Sequence, residues 1–265
     1  MAMPVARIRP FQPSDEKLVH FMIGKANMDA LAVANRQAYF HPLILALWVG
    51  LSATFVQVMG WWPDAERGSL GWVRPIPAFA CIAVPLMFLC DWFNRSTFED
   101  QTQDILHRPD VADIASYYLR SPSSGFWLLE YGDNFVGLIA VDASPDSTSN
   151  KTLSELASSR QKNQKIDLKK GTSETAAIRH FYVEEQYRRA GMQHDLLAHA
   201  VKHVFSSSQK VKTISAVDSP LKPYVGDALR QQGFELERKT EKVGILRWQN
   251  TVRVLSREHW RVPQE

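Results

Sequence analysis

Residues 178–205, IRHFYVEEQYRRAGMQHDLLAHAVKHVF, predict a strand, a tight turn and a helix in direct succession. The apolar, β-prone run Ile178–Val183 predicts the strand, and the polar link Glu184–Arg189 and then Ala190 and Gly191 follow it. Apolar residues next recur with the 3.6-residue period of a helix that buries one side. They are Leu196, Leu197, Ala200, Val201, Val204 and Phe205. Such a turn exposes the free N–H groups of the first helical turn, which together with the helix dipole form a site for phosphate.

The segment Arg188–Gln193, RRAGMQ, resembles the acyl-CoA loop Gln/Arg-x-x-Gly-x-Gly/Ala of the GNAT family of N-acetyltransferases. The resemblance implies that acetyl-CoA is the acyl donor, that backbone groups on the strand contact its acetyl and pantetheine parts, and that the loop amides hold its pyrophosphate. The residues expected to bind acetyl-CoA are therefore Phe181, Tyr182, Val183, Arg188, Arg189, Ala190, Gly191, Met192 and Gln193. The charge of Arg188 and Arg189 suits phosphate, and the alternative is a basic surface turn.

The elements on both sides follow the order of the same family. Val5–Phe11 predicts a first strand and Ser14 caps a first helix, with a second helical stretch at about 28–39. The remaining predictions are a hairpin of Gly125–Glu130 and Asn134–Val141 around Tyr131-Gly132-Asp133, a strand at Lys210–Val217, a helix at Leu221–Gln232 with Gly233 as its left-handed cap, and a last hairpin of Phe234–Lys239 and Val243–Trp248. The resemblance implies an α/β, mixed-sheet, GNAT-like acyl-CoA N-acyltransferase fold that binds acetyl-CoA between splayed fourth and fifth strands. Residues 250–265 receive no assignment.

Two uncharged runs interrupt this order. Pro42–Trp62 contains 21 residues without charge, the length of a membrane-spanning helix, and Pro75–Cys90 contains 16. We expect a two-helix transmembrane hairpin at 42–93, inserted between residues 1–41 and 94–265 of one GNAT-like domain. The tryptophans at the ends of the runs suit a membrane interface. The alternatives are one span with a shorter re-entrant partner, and a pair of buried core helices.

Charge and spacing limit the other function classes. A net charge of +3 without a basic stripe predicts no nucleic-acid partner. The polar stretch 142–173 predicts a flexible basic loop, either solvated or attracted to anionic lipid. His199 and His203 share a helix face with no carboxylate or cysteine at ligand spacing, so no metal site is expected. Lys25, Arg36 and Arg95 flank the runs on the domain side, which favours a cytosolic domain.

The family reaction is the attack of an amine on the thioester of acetyl-CoA. It needs a base for the amine and an acid for the leaving thiolate. His180 and Glu174 are the candidates for the base, and a structural histidine is the alternative for His180. The family often places a tyrosine acid four residues before the Gly-Phe pair, where this chain has Leu229, so Tyr224 is the candidate acid.

These residues predict a membrane-anchored N-acetyltransferase with an unidentified amine acceptor. The position of the apolar insert resembles the membrane-bound subgroup related to the N-acetyltransferase 8 proteins, which implies a two-span protein of the endoplasmic reticulum. Gln193 stands where the family has a second small residue, and it can obstruct the close approach of phosphate to the backbone. Gln193 and Leu229 keep an alternative open, a non-catalytic GNAT-like membrane scaffold or chaperone for another membrane protein. A two-span membrane protein with an unrelated α/β domain is a third interpretation.

Overall fold

The computed structural model describes residues 5–63, 68, 71–158 and 168–260. The strands are β1 (Ala6–Pro10), β2 (Gly125–Tyr131), β3 (Asn134–Asp142), β4 (Thr175–Val183), β5 (Thr213–Asp218), β6 (Glu235–Val243) and β7 (Trp248–Ser256). The helices are α1 (Glu16–Tyr39), α2 (Pro42–Met59), α3 (Ile76–Leu106), α4 (Pro109–Ala112), α5 (Ile114–Tyr118), α6 (Leu153–Ser158), α7 (Glu185–Arg188), α8 (Met192–Ser207) and α9 (Pro223–Gln231).

The described residues form two compact units. The sheet unit comprises those of Met1–Asn27, Gln101–Lys242 and Trp248–Glu265. The hairpin unit comprises those of Met28–Asp100 and Val243–Arg247.

The seven strands form one mixed sheet in the order β1-β2-β3-β4-β5-β7-β6, which confirms the predicted fold class. Strands β1 to β4 pair antiparallel in sequence, and β5 pairs antiparallel with β7. Strands β4 and β5 are parallel, but their register ends at the pair Ile178 and Ala216, although β4 continues to Val183. The second half of β4 therefore has an edge that β5 does not cover, as expected for splayed strands.

A β-bulge interrupts the pairing of β3 with β4. Ala140 pairs with His180 and Val141 with Ile178, so Arg179 is the extra residue. A bulge re-aims the side chains around it. It brings the side chains of two consecutive residues, Arg179 and His180, to one carboxylate.

The sheet carries an apolar core on each face. On one face the predicted stripe of α8 is buried, because Leu196, Leu197, Ala200, Val201, Val204 and Phe205 are all at most 1% exposed. On the other face Val19, Met22 and Ile23 of α1 pack with Tyr117 and Tyr118 of α5. The period-3.6 prediction for α8 is confirmed.

Two local predictions are wrong. The two expected N-terminal helices are one continuous helix, α1, because its interior contains no proline and the lone Gly24 costs only about 1 kcal/mol. The second arm of the last hairpin is β7, not Val243–Trp248. Gly244 has φ 71° and Arg247 has φ 55°, and the amide of Arg247 donates to the Gly244 carbonyl at 3.0 Å, so this stretch is the turn. Residues left unassigned in the sequence form most of β7 and pair with β5.

Helices α2 and α3 of the hairpin unit are long and apolar enough to cross a membrane by length and composition. The Trp48 indole N–H donates to the Phe79 carbonyl at 2.9 Å, and the two rings meet edge to face. Only 11% of the most apolar window in each helix is buried, whereas core helices would be covered. The structure therefore gives no support to the alternative of two buried core helices.

Part of the expected flexible loop is held by hydrogen bonds. Lys169 donates its amide to Asp146 Oδ2 at 2.9 Å, and Gly171 donates its amide to the Arg120 carbonyl at 3.0 Å. The basic residues Arg160, Lys162 and Lys165 lie outside the described residues.

Candidate functional site

The uncovered edge of β4 presents two backbone carbonyls to neighbouring helices. Arg188 Nε of α7 donates to the Val183 carbonyl at 2.7 Å, and the Tyr224 hydroxyl of α9 lies 3.5 Å from the Phe181 carbonyl. Tyr182 lies between them, and all three residues are aligned with β3 on the opposite edge. Because neighbouring residues of a strand point their backbone groups to opposite edges, Phe181 and Val183 face the gap between β4 and β5.

The loop before α8 has the geometry of an anion site. Gly191 adopts φ 78°, a left-handed conformation that favours glycine, and α8 begins at Met192. The amide of His194 already donates to the Gly191 carbonyl at 2.8 Å. The amides of Met192 and Gln193 precede it in the first turn, where N–H groups have no intrahelical acceptor. These two amides are therefore the backbone donors of this loop that could hold an anion.

The side chain of Gln193 is turned into the protein and is only 6% exposed. Its Nε2 lies 3.3 Å from His194 Nε2, and its Oε1 is buried without a hydrogen-bond partner, as is His194 Nδ1. Gln193 therefore does not project into solvent at the start of α8.

The two loop arginines point to different places. The guanidinium of Arg188 lies 4.0 Å from the centre of the Tyr224 ring and 5.7 Å from that of Tyr182. Arg189 is exposed at the surface of the loop. The sequence suggested one phosphate-binding pair, whereas the structure separates a cleft arginine from a surface arginine.

Tyr224 and Leu229 lie on different sides of α9. Leu229 is fully buried in the core that includes α8. Tyr224 is partly buried, and its ring lies 6.4 Å from that of Phe181. Residues five apart on a helix do not share a face. Leu229, where the family often has a tyrosine, therefore points elsewhere than Tyr224, whose hydroxyl is directed to β4.

His180 is bound to a buried carboxylate that the sequence analysis missed. Asp110 is fully buried and accepts from His180 Nε2 at 2.8 Å and from Arg179 Nε and Nη2, both at 3.1 Å. Burial by itself raises the pKa of Asp110, but His180 and Arg179 outweigh it and hold that pKa well below its usual range. One signal was available, because an arginine inside an apolar strand requires a partner.

A second buried carboxylate, Asp142, was also missed. It accepts from Arg120 Nη2 at 3.2 Å, from the Tyr117 hydroxyl at 3.0 Å and from the Ser124 hydroxyl at 3.2 Å. Burial raises the pKa of Tyr117 well above its usual value. Asp142 joins the end of β3 to the segment after α5, so it stabilises this side of the sheet unit.

Glu174 lies away from these groups. It directly precedes β4, and its side chain, 62% exposed, pairs with Lys212 Nζ at 3.0 Å. Nine residues of strand separate it from the far end of β4 at Val183, roughly 30 Å at 3.3 Å per residue. The structure does not bring Glu174 together with Phe181, Val183 and Tyr224.

The histidines of α8 pack against an aromatic ring. The rings of His199 and His203 lie 5.5 and 4.8 Å from that of Trp127, in edge-to-face contact. Burial lowers the pKa of His199, and His203 adds to the effect. Among the residues that the structure describes, no group of three or more His, Cys, Asp or Glu side chains could hold a metal ion.

Known proteins are similar to this chain over about half of its length. The profile of the acetyltransferase (GNAT) family matches residues 86–234, more than half of the chain. Rat N-acetyltransferase 8 is 30% identical over 135 residues, 51% of this chain and 54% of that protein. Mouse N-acetyltransferase 8 is 29% identical over 136 residues, 51% of this chain and 53% of that protein.

The chain thus spans about half the length of the curated relatives it matches. A GNAT-family acetyltransferase structure from Staphylococcus aureus aligns at 12% identity with a TM-score of 0.46, over 95% of this chain and 99% of that one. The family profile, covering α8, its loop and the strands on both sides, decides the assignment: this chain belongs to the GNAT family of acetyltransferases.

Proposed function

We propose that this chain is a membrane-anchored N-acetyltransferase that moves an acetyl group from acetyl-CoA to an amine. The observation that carries the proposal is the uncovered half of β4, where the Phe181 and Val183 carbonyls face Tyr224 and Arg188 beside the loop at Gly191. Members of the GNAT family use acetyl-CoA. The relatives that this chain matches over about half of their length are named N-acetyltransferases, which supports the same class of reaction here.

The residues present fit acetyl-CoA. The amides at the start of α8 and the exposed cation of Arg189 suit the phosphates. Backbone groups of Phe181 and Val183 suit the pantetheine amides. When bound, acetyl-CoA supplies the acetyl group as a thioester.

Tyr224 is our proposed acid. Its hydroxyl lies at the uncovered edge of β4, and the Arg188 guanidinium packs over its ring. A cation over the ring favours the phenolate that remains once the proton has left. In this role Tyr224 donates its proton to the departing thiolate.

His180 is our proposed base. Nε2 of His180 donates to Asp110, which leaves Nδ1 as the ring atom that can take a proton from the amine. The low pKa of Asp110 keeps that carboxylate charged, so it holds and orients the His180 ring. The bulge at Arg179 places both contacts on the same side of β4.

We further propose that α2 and α3 anchor the chain in a membrane. Their large apolar side chains are exposed, among them Leu43, Leu47, Leu51, Val84, Phe88 and Trp92. Such surfaces require lipid or a partner. From the family resemblance we propose that the protein lies in the endoplasmic reticulum. From the cations that flank the hairpin we propose that the sheet unit faces the cytosol. A fluorescent fusion combined with protease protection tests both.

Turnover tests the enzymatic proposal. Detergent-purified protein is incubated with acetyl-CoA and a panel of primary amines, covering lysine peptides, amino acids, polyamines and apolar amines. We expect time-dependent release of free CoA that requires one class of amine, with the acetylated amine identified by mass spectrometry. CoA release that no amine in the panel accelerates would favour the alternative, a non-catalytic membrane scaffold or chaperone.

A further inference from the structure

The turn between β6 and β7 has an apolar tip. The amide of Arg247 donates to the Gly244 carbonyl, so Ile245 and Leu246 are the two central residues of the turn. Central turn positions are ordinarily held by Gly, Pro, Asn, Asp or Ser. Ile245 is 42% exposed, and Lys242 and Arg247 flank the tip. An exposed isoleucine between two cations is the pattern of a segment that meets a bilayer surface.

The turn is held against α3 by a buried amide network within the hairpin unit. The amide of Ile245 donates to Asn94 Oδ1 at 3.0 Å, and Asn94 Nδ2 donates to Asn35 Oδ1 at 2.9 Å. Asn35 Nδ2 in turn donates to Asp91 Oδ1 at 2.6 Å. Asn94 is fully buried and Asn35 is 8% exposed. The level of the turn along α3 is therefore the level of Asn94.

That level corresponds to the headgroup layer of a membrane. The uncharged run of α3 ends at Cys90, and Asp91 is its first charge. Asn94 lies four residues beyond Cys90, about 6 Å along the helix axis. The headgroup region on each side of the hydrocarbon core is roughly 5–7 Å thick. Trp92 and Phe93, next to Asn94, are 62% and 57% exposed, as expected for aromatic residues at an interface.

We infer that the turn Val243–Arg247 is a third contact with the membrane, in addition to α2 and α3, and that its partner is the phospholipid interface. Ile245 inserts at the boundary of the acyl chains, while Lys242 and Arg247 reach the lipid phosphates. Glu241 lies on the opposite face of β6 from Lys242, because side chains alternate along a strand. The inference rests on the proposed membrane insertion of α2 and α3.

Site-directed spin labelling tests the inference on the full chain in nanodiscs of phosphatidylcholine and phosphatidylserine. Cys81 and Cys90, the two cysteines of the chain, are first replaced by serine. One label is placed at Ile245→Cys. A matched control is placed at Leu236→Cys, an exposed apolar residue at the other end of the same strand, about 23 Å from Val243. A reference label at Leu51→Cys in the middle of α2 reports the hairpin itself.

Accessibility to oxygen and to a water-soluble nickel chelate gives the depth of each label. We expect lipid exposure at Leu51, an interfacial depth at Ile245 and water exposure at Leu236. The inference is overturned if the label at Ile245 is as accessible to the chelate as the label at Leu236 while the label at Leu51 lies in lipid. The proposed membrane insertion of α2 and α3 would stand in that case. Water exposure at Leu51 overturns both.

Two further variants test whether the depth measured at Ile245 reflects the whole turn and its attachment to α3. Leu246→Cys occupies the other central position of the turn, and we expect the same interfacial depth. Adding Asn94→Ala to the Ile245→Cys protein removes the hydrogen bond that fixes the turn to α3. We expect that label to become at least twofold more accessible to the nickel chelate. An unchanged depth would contradict the anchoring role of Asn94.

Discussion

The guanidinium of Arg188 stacks at 4.0 Å on the ring of Tyr224 while its Nε donates to the Val183 carbonyl at 2.7 Å. One side chain thus connects the end of α7, the start of α9 and the uncovered edge of β4. The ring that it covers carries the hydroxyl that we propose as the acid. We therefore propose Arg188 as a positioning residue for Tyr224 as well as a cation for the phosphates of acetyl-CoA.

Replacing Arg188 by lysine separates these roles. Lysine keeps the charge but cannot stack as a plane or donate through a fixed fork. We expect Arg188→Lys to lower kcat about tenfold, equivalent to roughly 1.4 kcal/mol of activation free energy, with little change in the Kd of acetyl-CoA. Arg189→Lys, at the exposed neighbour, is the matched control and should leave kcat unchanged. Equal effects of the two substitutions would contradict the positioning role.

Removing the hydroxyl of Tyr224 tests the proposed acid. Tyr224→Phe keeps the ring under Arg188 and deletes the proton donor, so we expect kcat to fall about 10²–10⁴-fold with acetyl-CoA binding preserved. Tyr187→Phe is the control, because Tyr187 of α7 packs against Tyr131 instead. Steady-state kinetics on both variants with one amine suffice. Full activity in Tyr224→Phe would exclude this tyrosine as the acid.

The two candidate bases give opposite predictions. His180→Gln removes the ring that Asp110 orients, and we expect kcat/KM for the amine to fall about 10²-fold at neutral pH. The loss should shrink at high pH, where more of the amine is already unprotonated. Glu174→Gln breaks only an exposed ion pair with Lys212 and should leave the pH–rate profile unchanged. A normal profile in His180→Gln would reduce His180 to a structural residue.

Asp110 should make stability depend on acid pH. Its pKa is lower in the folded chain than in the unfolded chain, so its charge stabilises the fold above the unfolded value of 3.8. That contribution is lost as the pH falls from there towards the lower folded pKa. Asp110→Asn leaves Arg179 and His180 without their counter-ion, and we expect it to cost about 3 kcal/mol at neutral pH.

Thermal unfolding from pH 7 to about pH 3 measures this effect. The difference in Tm between wild type and Asp110→Asn should narrow as the pH falls below about 4. Asp133→Asn, in the exposed turn between β2 and β3, should show a small and constant difference. A difference for Asp110→Asn that does not change with pH would mean that its charge does not stabilise the fold.

The elements that sequence predicted correctly have local causes. The stripe of α8 follows from its period, and the turn at Gly132 separates two apolar runs. Gly233, at φ 85°, ends α9, with the amide of Phe234 donating to the Leu229 carbonyl at 2.9 Å. In each case neighbouring residues carry the whole signal.

The parts that sequence did not predict depend on contacts between distant residues. Asp110 is 70 positions from His180, and Asp142 is 22 from Arg120, so no spacing rule relates them. The bulge at Arg179 depends on the register of β3 against β4. The side from which Tyr224 approaches β4 depends on how α9 packs its buried Leu229, which periodicity alone does not give.

Calorimetric titration of acetyl-CoA into the detergent-purified chain tests the central claim most directly. Gly191→Trp places a bulky side chain in the loop at a φ of 78°, and Gly132→Trp places the same side chain at a φ of 61° in the turn between β2 and β3. We predict micromolar binding by the wild type and by Gly132→Trp, and its loss in Gly191→Trp. Absence of binding by the wild type, or equal binding by Gly191→Trp, would contradict an acetyl-CoA site at this loop.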